Sequence, residues 1–135
     1  MASHGYEEVD HTADIALRVW GENFQVLLFQ AAKGLYELMG VEHITGSNIE
    51  GQFTLPRETF ETILVDFLSE LLYLVEENGH AYNEFSFAEN DEEFVVHASG
   101  CEIQSQDRHI KAVTFHDLNI EETERGLEAT ITFDV

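Results

Sequence analysis

An alternation of apolar and polar side chains over residues 127–135 constrains the fold of this chain most. Apolar residues occupy every odd position, and Glu128, Thr130, Thr132 and Asp134 occupy the even positions. A period of two residues is typical of a β-strand that buries one face and exposes the other. The apolar face must be covered, so the pattern predicts a sheet with a second layer packed against it.

Two segments have the apolar spacing of helices that would form this second layer. Over residues 23–39, apolar side chains recur at intervals of three and four positions, and a glycine follows as a C-terminal cap. In the second segment we expect Pro56 as an early helix residue, an apolar stripe over residues 60–75, and Gly79 as the stop. Both helices are predicted to be amphipathic and to pack on one face of the sheet.

Further strands are predicted on both sides of these helices. Residues 15–20 alternate with a period of two, and residues 49–55 suggest another strand. After the second helix, short turn sequences separate four candidate strands, at residues 82–87, 93–99 with an extension towards 104, 110–116 and 127–135. Consecutive strands joined by short turns favour an antiparallel sheet. We therefore predict an α+β fold, mainly antiparallel, with residues 1–135 in a single domain.

The chain is strongly acidic, which argues against one class of function. It has 27 Asp and Glu residues against 6 Lys and Arg, a formal net charge of −21. We expect no autonomous nucleic-acid binding, because affinity for a polyphosphate depends on Lys and Arg that neutralise phosphates. The acids are spread through the sequence, and we interpret them as a halophilic adaptation to a salt-rich cytoplasm, where screening weakens self-repulsion.

Other features of the sequence indicate a cytoplasmic protein. No apolar run approaches the roughly 20 residues that a membrane-spanning helix needs, and the first residues lack the pattern of a signal peptide. The one cysteine, Cys101, cannot form an internal disulfide or a multi-thiolate zinc site, which fits a reducing compartment. We expect a soluble protein that does not associate with membranes.

Two aspartates far apart in the sequence are candidates for a metal site. Asp14 and Asp134 would meet at one end of a sheet if the strand that begins at residue 15 lies beside the last strand. With a backbone oxygen or a terminal carboxylate next to one of them, they would form an oxygen-only site, which suits Ca²⁺ or Mg²⁺. The alternative is that Asp14 caps a turn and Asp134 belongs to the generally acidic surface.

Lys111, His11 and His116 also have two interpretations each. The chain has two lysines, Lys33 and Lys111, and this scarcity favours a role for the Lys111 amine in holding a phosphate or a partner's carboxylate. Alternatively, it offsets neighbouring acids. The two histidines are candidates for acid–base groups or metal ligands, or they anchor strand ends by hydrogen bonding. The motifs of familiar nucleophilic and zinc enzymes do not occur in the sequence.

Several segments together resemble the archease family, in the expected order and along nearly the whole chain. They are Val9-Asp-His-Thr-Ala-Asp-Ile15, the helix at residues 23–39, Leu68-Ser-Glu-Leu-Leu-Tyr73, Ile110-Lys-Ala-Val-Thr-Phe-His116 and Thr132-Phe-Asp-Val135. Members of this family activate the RtcB-type RNA ligase, which joins tRNA exon halves, by promoting its guanylylation and turnover. The resemblance implies the same partner and a non-catalytic role for this chain.

The resemblance also implies the residues of a functional site. Asp14 and Asp134 match the family's metal-binding aspartates, and Val135 would supply a main-chain oxygen to the divalent cation. Lys111 matches the lysine that the family needs for function. Phe115 stands where the family pattern has tyrosine, so a hydroxyl is missing from this site.

Two other classes of function remain open at this stage. One is a small metal-dependent phosphohydrolase that uses Asp14, Asp134 and His116. The other is a general chaperone-like protein without a fixed site. In the activator hypothesis, His11 and His116 lie beside the metal ligands and are not ligands themselves.

Overall fold

The structure is a computed structural model that describes residues 4–10 and 15–135. Its elements, in chain order, are β1 (Gly5–Asp10), β2 (Ile15–Gly21), α1 (Phe24–Met39), β3 (Glu42–His43), β4 (Ile49–Pro56), α2 (Phe60–Asn78), β5 (His80–Glu89), β6 (Glu93–Ser105), β7 (Ala112–Thr114), β8 (Glu121–Thr123) and β9 (Gly126–Asp134). None of the helices in these residues has both the length and the apolar character needed to cross a membrane. The α+β class and the mainly antiparallel pairing that the sequence predicts are confirmed.

Helix α1 begins and ends where its sequence predicts. The Asn23 side chain accepts a hydrogen bond from the Val26 N–H at 2.9 Å, which satisfies one of the unpaired donors of the first turn. At the other end, Gly40 adopts the left-handed conformation with φ of 62°, and its N–H bonds back to the last turn. A residue with a side chain would be strained there, so the cap selects glycine.

Helix α2 begins later than predicted, because Pro56 is the last residue of β4 and not part of the helix. Pro56 is paired with Glu93, and the next N–H, from Arg57, donates to the Glu92 carbonyl at 3.0 Å. These contacts continue the strand past the proline, which is tolerated because β4 lies at the edge of its sheet. The helix then starts after Thr59, whose hydroxyl accepts from the Thr62 N–H at 3.2 Å.

The strands form two sheets. In the first, the order is β1-β2-β9-β7, and β8 pairs with another part of β9. The second is built on β6, which pairs with β3, β4 and β5. All of these pairings are antiparallel. The predicted pairing of the strand that begins at residue 15 with the last strand is confirmed, since Ile15 lies opposite Phe133.

Both helices contribute to one hydrophobic core. Helix α1 packs on β2, where Gly34 allows close approach: a Cβ at this position would lie 2.5 Å from Leu17 Cδ2. Helix α2 carries Phe67, whose ring meets the rings of Phe85 and Phe87 on the second sheet at 5.4 and 5.9 Å between centroids. Helix α2 also contacts β7 of the first sheet, so it connects the two sheets.

Candidate functional site

The end of the first sheet brings together residues from separate parts of the sequence. Strand β7 pairs with β9 so that Ala112 lies opposite Asp134. The preceding residue, Lys111, donates its backbone N–H to the Asp134 carbonyl at 2.7 Å. The predicted functional lysine and one predicted metal-binding aspartate are therefore neighbours, fixed by a backbone hydrogen bond.

The start of β2 reaches the same end of the sheet from the other side of β9. Ile15 lies opposite Phe133, so β9 is flanked there by β2 on one side and β7 on the other. Asp14, which precedes Ile15 in the chain, and His11 lie outside the described residues. Ile15, Lys111 and Asp134, which come from three separate segments of the sequence, thus lie at one end of one sheet.

The donor atoms at this end suit a hard cation. Asp134 is exposed, and Val135 is 41% exposed, so neither residue is covered by the described part of the chain. Ca²⁺ and Mg²⁺ prefer such oxygen ligands, and a complete shell needs about six or more of them. Within residues 4–10 and 15–135, no group of three His, Cys, Asp or Glu side chains could hold a metal. The described residues thus fit part of a site, which ligands beyond them and water would have to complete.

His116 lies farther along the sheet. Thr114, the last residue of β7, is opposite Thr132, so the chain has already moved roughly 6–7 Å from the level of Asp134 when β7 ends. The His116 ring then pairs with Asp117 in the following turn, with 3.2 Å between Nε2 and Oδ2, and is 63% exposed. The phosphohydrolase hypothesis also uses Asp14, which lies outside the described residues, so it stays a hypothesis.

A shallow groove of about 320 Å³ adjoins Lys111, between α2 and β7. Tyr73 of α2 lies on its wall and is 56% exposed. The Glu76 carboxylate, also on the wall, lies 3.2 Å from Nδ1 of His109 and accepts from the Gln106 side chain at 3.4 Å. No sequence motif marks this groove, although Tyr73 lies off the apolar stripe of its helix and is therefore expected on the surface.

A larger cleft, of about 470 Å³, lies away from these motifs, between β1 and α1. There the Tyr6 hydroxyl donates a hydrogen bond to the Glu37 carboxylate. This bond, together with partial burial and the Glu37 charge, raises the pKa of Tyr6. The packing of β1 against α1 explains both residues. Of the predicted site residues that the structure describes, which are Lys111, His116, Asp134 and Val135, none lines this cleft.

Comparison with known proteins decides the family. Residues 6–135 match the sequence profile of the Archease protein family (MTH1598/TM1083). The chain belongs to the archease family. A protein archease of Methanosarcina mazei is 33% identical to this chain, and the alignment covers 100% of both. A protein archease of Archaeoglobus fulgidus is 31% identical over 96% of this chain and 98% of its own length.

Two solved structures share the archease fold with this chain. The crystal structure of an archease and possible chaperone (TM1083) from Thermotoga maritima is 25% identical, covers 96% of each chain, and gives a TM-score of 0.71. The solution structure of Methanobacterium thermoautotrophicum protein 1598 gives a TM-score of 0.72 over 97% of this chain and 99% of its own, at 22% identity. The fold therefore extends over nearly the whole chain.

Proposed function

We propose that this archease activates an RtcB-type RNA ligase in the cytoplasm, promoting its guanylylation and multiple turnover without catalysing a reaction itself. One observation carries the proposal: the Lys111 N–H donates a hydrogen bond to the Asp134 carbonyl. This bond lies at the end of β9 that is paired with the start of β2. Family membership supports the proposal, because the described residues matched to the family's functional positions, Lys111, Asp134 and Val135, lie at this one end of the first sheet. Their exposure leaves them accessible to a partner.

A Ca²⁺ or Mg²⁺ ion is part of the proposal. The Asp134 carboxylate and a main-chain oxygen of Val135 would hold it together with Asp14, which precedes Ile15 in the sequence. The Asp134 carbonyl already accepts the Lys111 N–H, so Asp134 would contribute its carboxylate. When bound, a divalent cation supplies positive charge that stabilises phosphate oxygens.

The contribution of Lys111 follows from its charge and its placement. Guanylylation transfers a nucleotide to a protein residue with loss of pyrophosphate, so negative charge has to be stabilised where the phosphates react. Lys111 offers a mobile ammonium on a backbone that the β9 ladder holds in place. In a chain with 6 Lys and Arg and 27 Asp and Glu, this is one of few cations that can meet an anion.

The proposal is tested by measuring guanylylation of the purified ligase in single-turnover reactions with GTP and metal, with and without this protein. We expect the protein to raise both the rate of guanylylation and the number of ligation cycles. Incubation of the protein alone with nucleotides and phosphoesters should give no product. Turnover by the protein alone would support the phosphohydrolase hypothesis, and a ligase rate that does not change would contradict the proposed function.

A general chaperone is the second candidate, because the archease from Thermotoga maritima is described as a possible chaperone. A chaperone without a fixed site would suppress aggregation of unrelated unfolding proteins, and Asp134 would not be needed for this effect. An activator would act on the ligase and depend on Asp134. Light scattering of a standard aggregating protein, with the parent and the Asp134→Ala variant, distinguishes the two.

A further inference from the structure

Tyr73 is an exposed aromatic side chain for which the fold gives no structural reason. It is 56% exposed, and on the helix surface it is followed one turn later by Glu76 and Glu77, both exposed. The core-facing residues of α2 are buried without it. Exposed tyrosines of this kind are enriched among the residues that dominate the energetics of protein–protein interfaces.

The groove beside Tyr73 has an apolar floor and a hydrogen-bonded rim. Ile110 is 3% exposed and Leu72 is 6% exposed, and both line the groove together with Val113. On the rim, the contacts of Glu76 with His109 and Gln106 connect α2 to the segment that leads into Lys111. A groove that is ordered before binding loses less conformational entropy when a partner docks.

The groove is continuous with the proposed site. Lys111 lines it and also donates its backbone N–H to Asp134. Val135, which follows Asp134 in the sequence, is also an exposed apolar residue. A partner that approaches Lys111 and Asp134 therefore meets apolar surface next to the charged groups.

We infer that the groove between α2 and β7 is the surface on which the ligase docks, with Tyr73 as its main anchor. This inference rests on the proposed function. Charge complementarity supports the choice of occupant: an RNA ligase needs Lys and Arg to bind RNA phosphates, and Glu76 and Glu77 beside Tyr73 suit such a basic protein surface. An apolar side chain of the ligase would fill the groove while its basic residues face these two carboxylates.

The charge of the chain argues against two other occupants. At a net charge of −21, the protein repels RNA, and it also repels a second copy of itself approaching by the same acidic rim. Both remain as outcomes of the test.

The test is a titration of the ligase with this protein, following binding by fluorescence anisotropy and guanylylation in the same samples. In Tyr73→Ala, we expect the concentration for half-maximal binding and activation to rise roughly 10- to 30-fold, with the maximal rate unchanged at saturation. Lys111→Met should show the opposite pattern, a lower maximal rate with nearly unchanged half-saturation. The matched control is Ile44→Ala, which removes an apolar side chain that is 38% exposed elsewhere on the surface and should behave like the parent.

A second variant tests the nature of the partner surface. Glu77→Lys should weaken binding to a basic ligase surface, most clearly at low salt. Tighter binding by this variant would contradict the inference, and so would a Tyr73→Ala titration identical to that of the parent. Loss of self-association or of RNA binding in Tyr73→Ala, with ligase binding intact, would assign the groove to another occupant and overturn it.

The same titration separates this inference from the proposed function. A parent protein that binds the ligase through Tyr73 without accelerating guanylylation would contradict the proposed function and retain the docking surface. Activation that survives Tyr73→Ala at unchanged half-saturation would retain the function and reject the surface. Absence of any binding by the parent would reject both.

Discussion

Two regions of the first sheet differ sharply in their surroundings. Where β2 meets α1, Leu17 is 1% exposed, and the contact is so close that a Cβ at Gly34 would lie 2.5 Å from Leu17 Cδ2. At the end of the same sheet, Lys111 and Asp134 are exposed, and a backbone hydrogen bond joins the two residues. The first region is fixed by side-chain packing, and the second by strand pairing.

This difference separates stability from function. Burial of Leu17 removes apolar surface from water, so its replacement should affect the free energy of unfolding. Lys111 and Asp134 contribute little burial, and exposed charges add small terms to stability. Their side chains can therefore be changed without unfolding the protein, and the predictions below test this separation.

The largest effect is expected at Asp134. Asp134→Ala should reduce activation of the ligase at least about 100-fold, because it removes a proposed metal ligand. The thermal midpoint should not fall, since the change removes one exposed carboxylate from a chain of net charge −21. Guanylylation rates, melts, and calorimetric titration with Ca²⁺ and Mg²⁺ measure these effects.

Asp91→Ala, which removes an exposed acid from the turn between β5 and β6, is the matched control for Asp134→Ala. It should leave activation and metal binding unchanged. Full activation by Asp134→Ala would show that the end of the sheet is only acidic surface. If Asp134→Ala failed to fold, the exposed end of the sheet would also be needed for stability, which contradicts the difference proposed between the two regions.

The buried region should show the reverse behaviour. Leu17→Ala should lower the free energy of unfolding by about 2–5 kcal/mol, because it removes buried methyl groups from a contact that Gly34 keeps close. Urea denaturation monitored by circular dichroism measures the change. The fraction that remains folded should still activate the ligase, and a loss below about 1 kcal/mol would show that this contact does not support the fold.

Salt should act on both regions through the net charge. We predict that the thermal midpoint rises from low to multimolar salt, because screening at about molar salt shortens the Debye length to ~3 Å and weakens repulsion among the acids. Melts over a salt series check this prediction. A midpoint that does not change with salt would remove the halophilic interpretation without affecting the proposed function.

A small loss of stability is expected at the start of α2. Thr59→Ala should cost about 1 kcal/mol, since the Thr59 hydroxyl accepts the Thr62 N–H at the first turn. Helix α2 also carries Tyr73, so binding of the ligase by Thr59→Ala tests whether docking through Tyr73 depends on the cap at the start of the helix. We expect ligase binding by the folded variant to match the parent, and a large loss of binding would connect the two.

The sequence predicted correctly those elements that are determined by residues close together in the chain. The apolar spacing of α1 and its Gly40 cap both act within the helix, so they could be identified from the sequence. Pro56 could not be placed correctly, because its pairing with Glu93 is decided by a strand far away in the chain. Strand β1 was not predicted, since at the sheet edge Glu7 and Glu8 interrupt its apolar pattern.

The candidate site was only partly predictable for the same reason. The alternation of apolar and polar residues predicted that Asp134 lies on the polar face of its strand. The resemblance to archeases indicated that Lys111 is functional. Neither pattern determined which strands are neighbours. The contact between Lys111 and Asp134 depends on the register of β7 against β9, which long-range packing selects. The groove beside Tyr73 depends on the placement of α2 against β7 and had no comparable signal.

The two lysines provide the most direct test of the central claim, that this exposed end of the sheet acts on the ligase. Lys33 lies on the surface of α1 over the Phe29 ring, 5.5 Å from its centroid, and serves as the matched control for Lys111. In single-turnover guanylylation with purified ligase, GTP and metal, Lys111→Met should melt like the parent and fail to accelerate the reaction, while Lys33→Met should activate fully. Activation by Lys111→Met equal to that of the parent would contradict the account.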